Sequence, residues 1–166
     1  MAIQVQILIG SDSDAAVMNG AIETLREFGI SCDMTVASAH RSPDRVRQLM
    51  KEAPARGVRL FIVGAGAAAH LAGAVAAHTT LPVIGVPIDS SALKGIDALL
   101  STLQMPPGVP VATMAIGRTG AVNAAVLAAQ ILALTDEPLA GRLKTYKKAL
   151  ADKVEQAAAR IAQTTT

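Results

Sequence analysis

"CDMTVASAHRSPDRVRQLMKEA", Cys32 to Ala53, decides the fold because its apolar period changes partway along. From Ser31 to Ser38 β-branched and apolar residues alternate, as in a strand. From Pro43 to Glu52 apolar residues recur at helical spacing behind a proline, which suits a helix's first turn. Between them "SAHRSP", Ser38 to Pro43, forms a strand-to-helix corner holding His40 and Arg41. In open α/β sheets such corners lie at the carboxyl ends of the strands, where ligands bind.

The same strand-then-helix unit repeats in both directions. "IQVQILIG" (Ile3 to Gly10) reads as a strand before a helix over Asp14 to Gly29. "VRLFIVGAG" (Val58 to Gly66) reads as a strand before an alanine-rich helix over Ala67 to His78. Leu81 to Ile88 is a fourth strand, Ile96 to Leu103 a short helix, and Val109 to Gly117 a fifth strand before the helical "GAVNAAVLAAQILAL". Near-continuous apolar strands predict a parallel sheet covered on both faces, an α/β fold. "EPLAGRLKTYKKALADKVEQAAARIAQ" predicts a long C-terminal helix with one apolar stripe, packed on the domain or clasping a neighbour, and the terminal "TTT" is expected to fray.

A chain of 166 residues, 51% hydrophobic and 17% charged, fits one domain over residues 1–166. A net charge of +2 with no basic run and only Phe28, Phe61 and Tyr146 as aromatics argues against a nucleic-acid partner. The single cysteine, Cys32, rules out an internal disulfide and a multi-cysteine metal site, and suits the cytoplasm. The N-terminus lacks a basic leader, and its apolar run is too short for a membrane span. The core must be built from Ala, Val, Leu and Ile. A mean hydropathy of +0.41 is high for a small monomer, so subunit interfaces are expected to absorb the excess apolar surface.

Five loops should converge on one sheet edge: Gly10–Asp14, Ser38–Pro43, Gly64–His70, Pro87–Gly95 and Ile116–Asn123. "GSDSD" places hydroxyls and carboxylates at a helix N-terminus, which favours an anion; the competing reading is an ordinary cap by Ser13 or Asp14. "GAGAAAH" lacks the glycine spacing of a dinucleotide site. Gly64 and Gly66 there permit either close approach of a ligand or tight helix–sheet packing. The three histidines, His40, His70 and His78, lack zinc-ligand spacing, and no metal is expected. His78 reads as a helix-end residue, and His70 as either a helix-start residue or a member of the active edge. For His40 an ordinary surface loop competes with catalysis, while Arg41 beside it matches phosphate geometry.

"GSDSD", "SAHRSP", "GAGAAAHLAG", "PVIGVPI", "LLSTLQMPPGVPVATMAIG" and "GAVNAAVLAAQIL" together resemble the N5-carboxyaminoimidazole ribonucleotide mutases of purine biosynthesis, over nearly the whole chain. The resemblance implies a three-layer α/β/α flavodoxin-like fold, a homo-octamer with active sites near subunit contacts, and neither metal nor organic cofactor. It implies a small ribonucleotide as substrate and migration of a carboxylate from its exocyclic nitrogen to ring carbon 4. His40 then corresponds to the general acid/base, Arg41 with Ser11 and Asp14 to the ribonucleotide grip, and Ser13 and Ser38 to phosphate or ribose neighbours. Gly66 and its alanine neighbours would wall a dry pocket for CO2, lined or oriented by His70.

Two positions depart from the family pattern: Ala67 replaces a usual glycine and Ala72 a usual proline. The related carboxylases that take CO2 directly typically carry lysine after the histidine and lack the "GAGAAAH" block, so Arg41 and His70 favour the mutases. A direct carboxylase and a non-catalytic nucleotide-binding module remain the alternatives.

Overall fold

The computed structural model describes residues 3–164. The chain divides into two compact units, one ending at Ala128 and the other beginning at Ala129.

The first unit holds a five-stranded parallel sheet: β1 (Val5–Ile9), β2 (Cys32–Val36), β3 (Leu60–Gly66), β4 (Val83–Ile88) and β5 (Ala112–Thr113), in the order β2-β1-β3-β4-β5. This is the flavodoxin-like winding, in which the chain reverses direction across the sheet between β1 and β3. Between the strands run α1 (Ala15–Glu27), α2 (Pro43–Arg56), α3 (Leu71–Ala76) and α4 (Ile96–Leu103), and α5 (Arg118–Ala133) runs on through the boundary between units. β1 and β4 are buried throughout, and β3 is buried up to Gly66 at its end. One face of the core joins Leu8, Phe61 and Val63 of the sheet to Val46, Leu49 and Met50 of α2 and Leu71 and Val75 of α3. That face has only one aromatic ring, Phe61, and alanines at Ala53, Ala69, Ala72 and Ala98 bring helices and strands close together.

α1 and α2 end in the same way. Ile30 N–H donates to Leu25 O and Gly29 N–H to Arg26 O, while Val58 N–H donates to Ala53 O and Gly57 N–H to Pro54 O. Both glycines have positive φ, 68° and 85°, the left-handed turn that stops a helix and launches the next strand. This cap lets α2 run to Arg56, beyond the expected stop at Glu52, with Pro54 taken into its last turn.

Two other elements are shorter than expected. The segment Val109–Gly117 forms ladder pairs with β4 only at Ala112 and Thr113; beyond them it stays tied to β4 by single bonds, Met114 N–H donating to Gly85 O and Gly117 N–H to Pro87 O, both at 2.8 Å. The helix expected from Ala67 begins at Leu71, since Ala67 turns left-handed (φ 51°) and its carbonyl accepts from Ala69 N–H. Ala72, the other departure, is buried in the first turn of α3, where proline is also tolerated.

The second unit contains the end of α5 and the long helix α6 (Glu137–Thr164), whose start is capped by Asp136 Oδ1 accepting from Leu139 N–H at 2.9 Å. Leu150, Val154 and Ile161 of its apolar stripe are exposed. The fraying expected of the last three threonines falls, for residues 165 and 166, outside the described residues. No described helix is long and apolar enough to cross a membrane.

Candidate active site

At the carboxyl edge of the sheet, beside the β1/β3 reversal, lies a cavity of about 270 Å³. That is slightly below the usual range for ligand pockets, roughly 300 to 1,000 Å³. Gly10, Ser11, Ser13 and Asp14 of the first corner line it, with Ser38, Ala39, His40 and Arg41 of the second. The third corner adds Ala65, Gly66 and His70, and Ser90 enters from the loop after β4. Four of the five expected loops thus contribute. The loop Ile116–Asn123 does not, because β5 stands three strands from β1, about 14 Å at the usual strand spacing.

The first corner serves as a cap and a candidate binding surface together. A short 3-10 turn, Asp12–Asp14, precedes α1 and is capped by Ser11; of the two residues the sequence offered as a helix cap, Asp14 stands at the N-cap of α1 but makes no side-chain cap bond there. Ser11 Oγ accepts from Ser13 N–H at 3.4 Å, and Asp14 Oδ2 accepts from Ser11 N–H at 3.1 Å. Asp14 is buried, and that burial pushes its carboxyl above the ordinary value of 3.8. The Ser11 N–H opposes the rise, the Asp12 charge adds to it, and Ser13 opposes it again.

In the second corner Ser38 Oγ accepts from Arg41 N–H at 3.1 Å, while Ser42 Oγ donates to Ser38 O at 3.3 Å. Arg41 Nη2 then crosses to the first corner, donating to Gly10 O at 3.1 Å. The guanidinium is thereby fixed beside Ser11 and Ser38, and these three residues also line an adjoining open groove of about 670 Å³. An anion placed there meets a planar cation and hydroxyl groups.

The opposite end of the cavity belongs to the histidines. His40 Nε2 lies 2.7 Å from His70 Nδ1, and the rings meet edge to face at 71° with centroids 4.8 Å apart. His70 immediately precedes α3 and makes no side-chain cap bond, so its imidazole is directed to His40 and not to the helix end. Ala69 and Leu71, on either side of His70 in the chain, and Ala65 add apolar lining to the cavity.

All eight residues singled out from the sequence, Ser11, Ser13, Asp14, Ser38, His40, Arg41, Gly66 and His70, line this one cavity. Ser90 was not singled out, since "PIDSSALKG" has adjacent serines and no signal separating one from the other. The contact that matters, against Gly66, is tertiary.

The strand order, the cavity at the reversal point and its paired imidazoles opposite a fixed arginine define a flavodoxin-like α/β protein with an enzyme-type site. Over residues 4–153 the sequence matches the family model described as AIR carboxylase, and the chain belongs to that family. Among its relatives, the N5-carboxyaminoimidazole ribonucleotide mutase of Brucella melitensis is 54% identical over 156 residues, covering 94% of this chain and 96% of that protein. The mutase of Thermotoga maritima is 50% identical over 160 residues, covering 96% and 92%. The crystal structure of Treponema denticola PurE superposes with a TM-score of 0.86 at 32% identity, covering 95% of this chain and 97% of that one.

Proposed function

We propose that this protein is an N5-carboxyaminoimidazole ribonucleotide mutase, acting in purine biosynthesis by moving a carboxylate from the exocyclic nitrogen of a ribonucleotide to ring carbon 4. The observation that carries the mechanism is the 2.7 Å contact between His40 and His70 at the end of the cavity opposite Arg41. Arg41, Ser11 and Ser38 hold the phosphate, Ser13 stands beside it, and Asp14 accepts from ribose hydroxyls. The ring then reaches His40, with the backbone of Gly66 alongside.

The chemistry needs one proton carrier. His40 delivers a proton to the exocyclic nitrogen as its bond to the carboxylate carbon breaks, releasing CO2 into the apolar wall. Ring carbon 4 attacks that CO2, and His40 takes the proton from the same carbon, returning to its starting state. His70 accepts from or donates to His40 and so orients it. No redox step occurs, and the scheme calls for neither metal nor organic cofactor.

We read both units as one functional domain, a reading supported by the family model running across both. A phosphorylated substrate suits the cytoplasm. We infer a homo-octamer, supported by the exposed apolar stripe of α4, where Ile96, Leu100 and Leu103 stand 52%, 50% and 52% exposed.

The test is product formation from the carboxyamino substrate in buffer with labelled bicarbonate. Unlabelled ring-carboxylated product is expected. Label entering the product at the rate of turnover would identify a direct carboxylase, and binding without turnover a non-catalytic module.

A further inference from the structure

Four hydroxyls line the cavity, and three are engaged within the protein. Ser11 Oγ donates to Asp12 Oδ1 at 3.1 Å, Ser13 Oγ donates to Ser11 Oγ at 3.0 Å, and Ser38 Oγ accepts from Arg41 N–H. The fourth, Ser90, makes no hydrogen bond among the described residues.

Its placement is determined by Gly66. A side chain there would begin where Ser90 Oγ stands, 2.7 Å from Ser90 Cβ and 3.1 Å from the carbonyl oxygen of Ile88. The end of β3 lies alongside the end of β4, Gly66 paired with Ile88, so Ser90 enters just beyond the ladder. The absent side chain of Gly66 lets the hydroxyl reach the cavity wall shared with His40 and His70.

We propose that Ser90 determines specificity for the carboxylated ribonucleotide, its hydroxyl donating to the ring carboxylate. This rests on the mutase reading above. The cavity carries two kinds of lining: Arg41 offers charge beside the hydroxyls of Ser11 and Ser38 for a phosphate, whereas Ala69 and Leu71 flank His70 with apolar surface. The group that forms beside His40 is a carboxylate, and Ser90 lines the same cavity with a hydroxyl committed, among the described residues, neither as donor nor as acceptor, whereas Ser38 Oγ already accepts from Arg41 N–H. A hydroxyl suits this task better than a cation, which would also hold the carboxylate against departure.

The experiment compares wild type and Ser90→Ala for affinity toward two ribonucleotides differing only in the carboxylate, 4-carboxyaminoimidazole ribonucleotide and aminoimidazole ribonucleotide. A hydrogen bond to a charged group predicts a loss of about tenfold or more for the first and less than about twofold for the second. Thermal melting of Ser90→Ala should match wild type. Equal loss for both ligands, or none for either, overturns the proposal. If wild type binds neither ribonucleotide, the mutase reading itself fails; if it binds both and Ser90→Ala is indistinguishable from it, only the role of Ser90 fails.

Discussion

His40 Nε2 and His70 Nδ1 share a 2.7 Å contact although 30 residues separate them in sequence. Two ring nitrogens at that distance require one to carry hydrogen and the other a lone pair, so the rings fix each other's tautomers. The proposed mechanism divides the duties of this pair, with His40 carrying the proton and His70 orienting His40. His40→Asn should fold and bind ribonucleotide while turnover falls by about two to four orders of magnitude. His70→Asn, which keeps a polar partner, should retain more activity than His70→Leu. Steady-state rates for the three variants check this ranking; near-wild-type turnover in His40→Asn would remove it as proton carrier.

Arg41 joins two corners that are distant in sequence, through its Nη2 bond to Gly10 O and the bond from its own N–H to Ser38 Oγ. Arg41→Lys keeps the charge but lacks the fork needed to hold Gly10 O and a phosphate together. Ribonucleotide affinity should weaken by about 1 to 3 kcal/mol, read by calorimetry. Unchanged affinity in both Arg41→Lys and Arg41→Ala would move the phosphate elsewhere.

Much of this site was legible in the sequence because its parts are local. Each strand-end corner announces itself through a change from strand to helix period, and a parallel sheet brings such corners to one edge. Ser90 and the His40–His70 contact were not legible, since both depend on which strands are neighbours. The same limit applies to β5: "VPVATMAIG" is apolar enough for a strand, but only Ala112 and Thr113 form ladder pairs, and the rest meets β4 through single bonds from Met114 and Gly117. The two-sided use of Ser11 was hidden for another reason, since the hydroxyl that caps the turn also lines the cavity.

Asp14 should trade stability for binding. Its folded-state pKa lies above the unfolded value of 3.8, chiefly through burial, so the folded chain holds its proton more tightly. That favourable contribution is fully present below pH 3.8 and is lost as pH rises through the folded value. Asp14→Asn should then be more stable than wild type at neutral pH, with the difference shrinking toward acid, while its ribonucleotide affinity drops. Urea denaturation at a series of pH values checks the sign; a variant less stable at neutral pH contradicts it.

The α4 stripe bears on assembly. Ile96, Leu100 and Leu103 recur at helical spacing on one face and are half exposed. Light scattering should report a mass several times the 17.0 kDa chain, and Leu100→Asp should lower it. A fully active wild-type monomer would contradict the octamer.

Ala67 offers a direct measure of strain at the cavity's edge. Its φ of 51° places a Cβ in the left-handed region, which costs a non-glycine residue about 1 to 2 kcal/mol. The turn holds because Ala69 N–H bonds Ala67 O at 2.8 Å, immediately before the residue that pairs with His40. Replacing Ala67 with glycine removes the strain but adds freedom to the unfolded chain, a loss of about 0.4 to 1 kcal/mol. The strain is the larger quantity, so Ala67→Gly should stabilise by up to about 1.5 kcal/mol, equivalent to a rise in Tm of a few degrees for a chain of this length. Because the turn is retained, the spacing of His40 and His70 should survive and turnover should stay within a few-fold of wild type. Calorimetric melting of Ala67→Gly beside wild type decides it: a lower Tm means that the alanine is not strained in the folded chain.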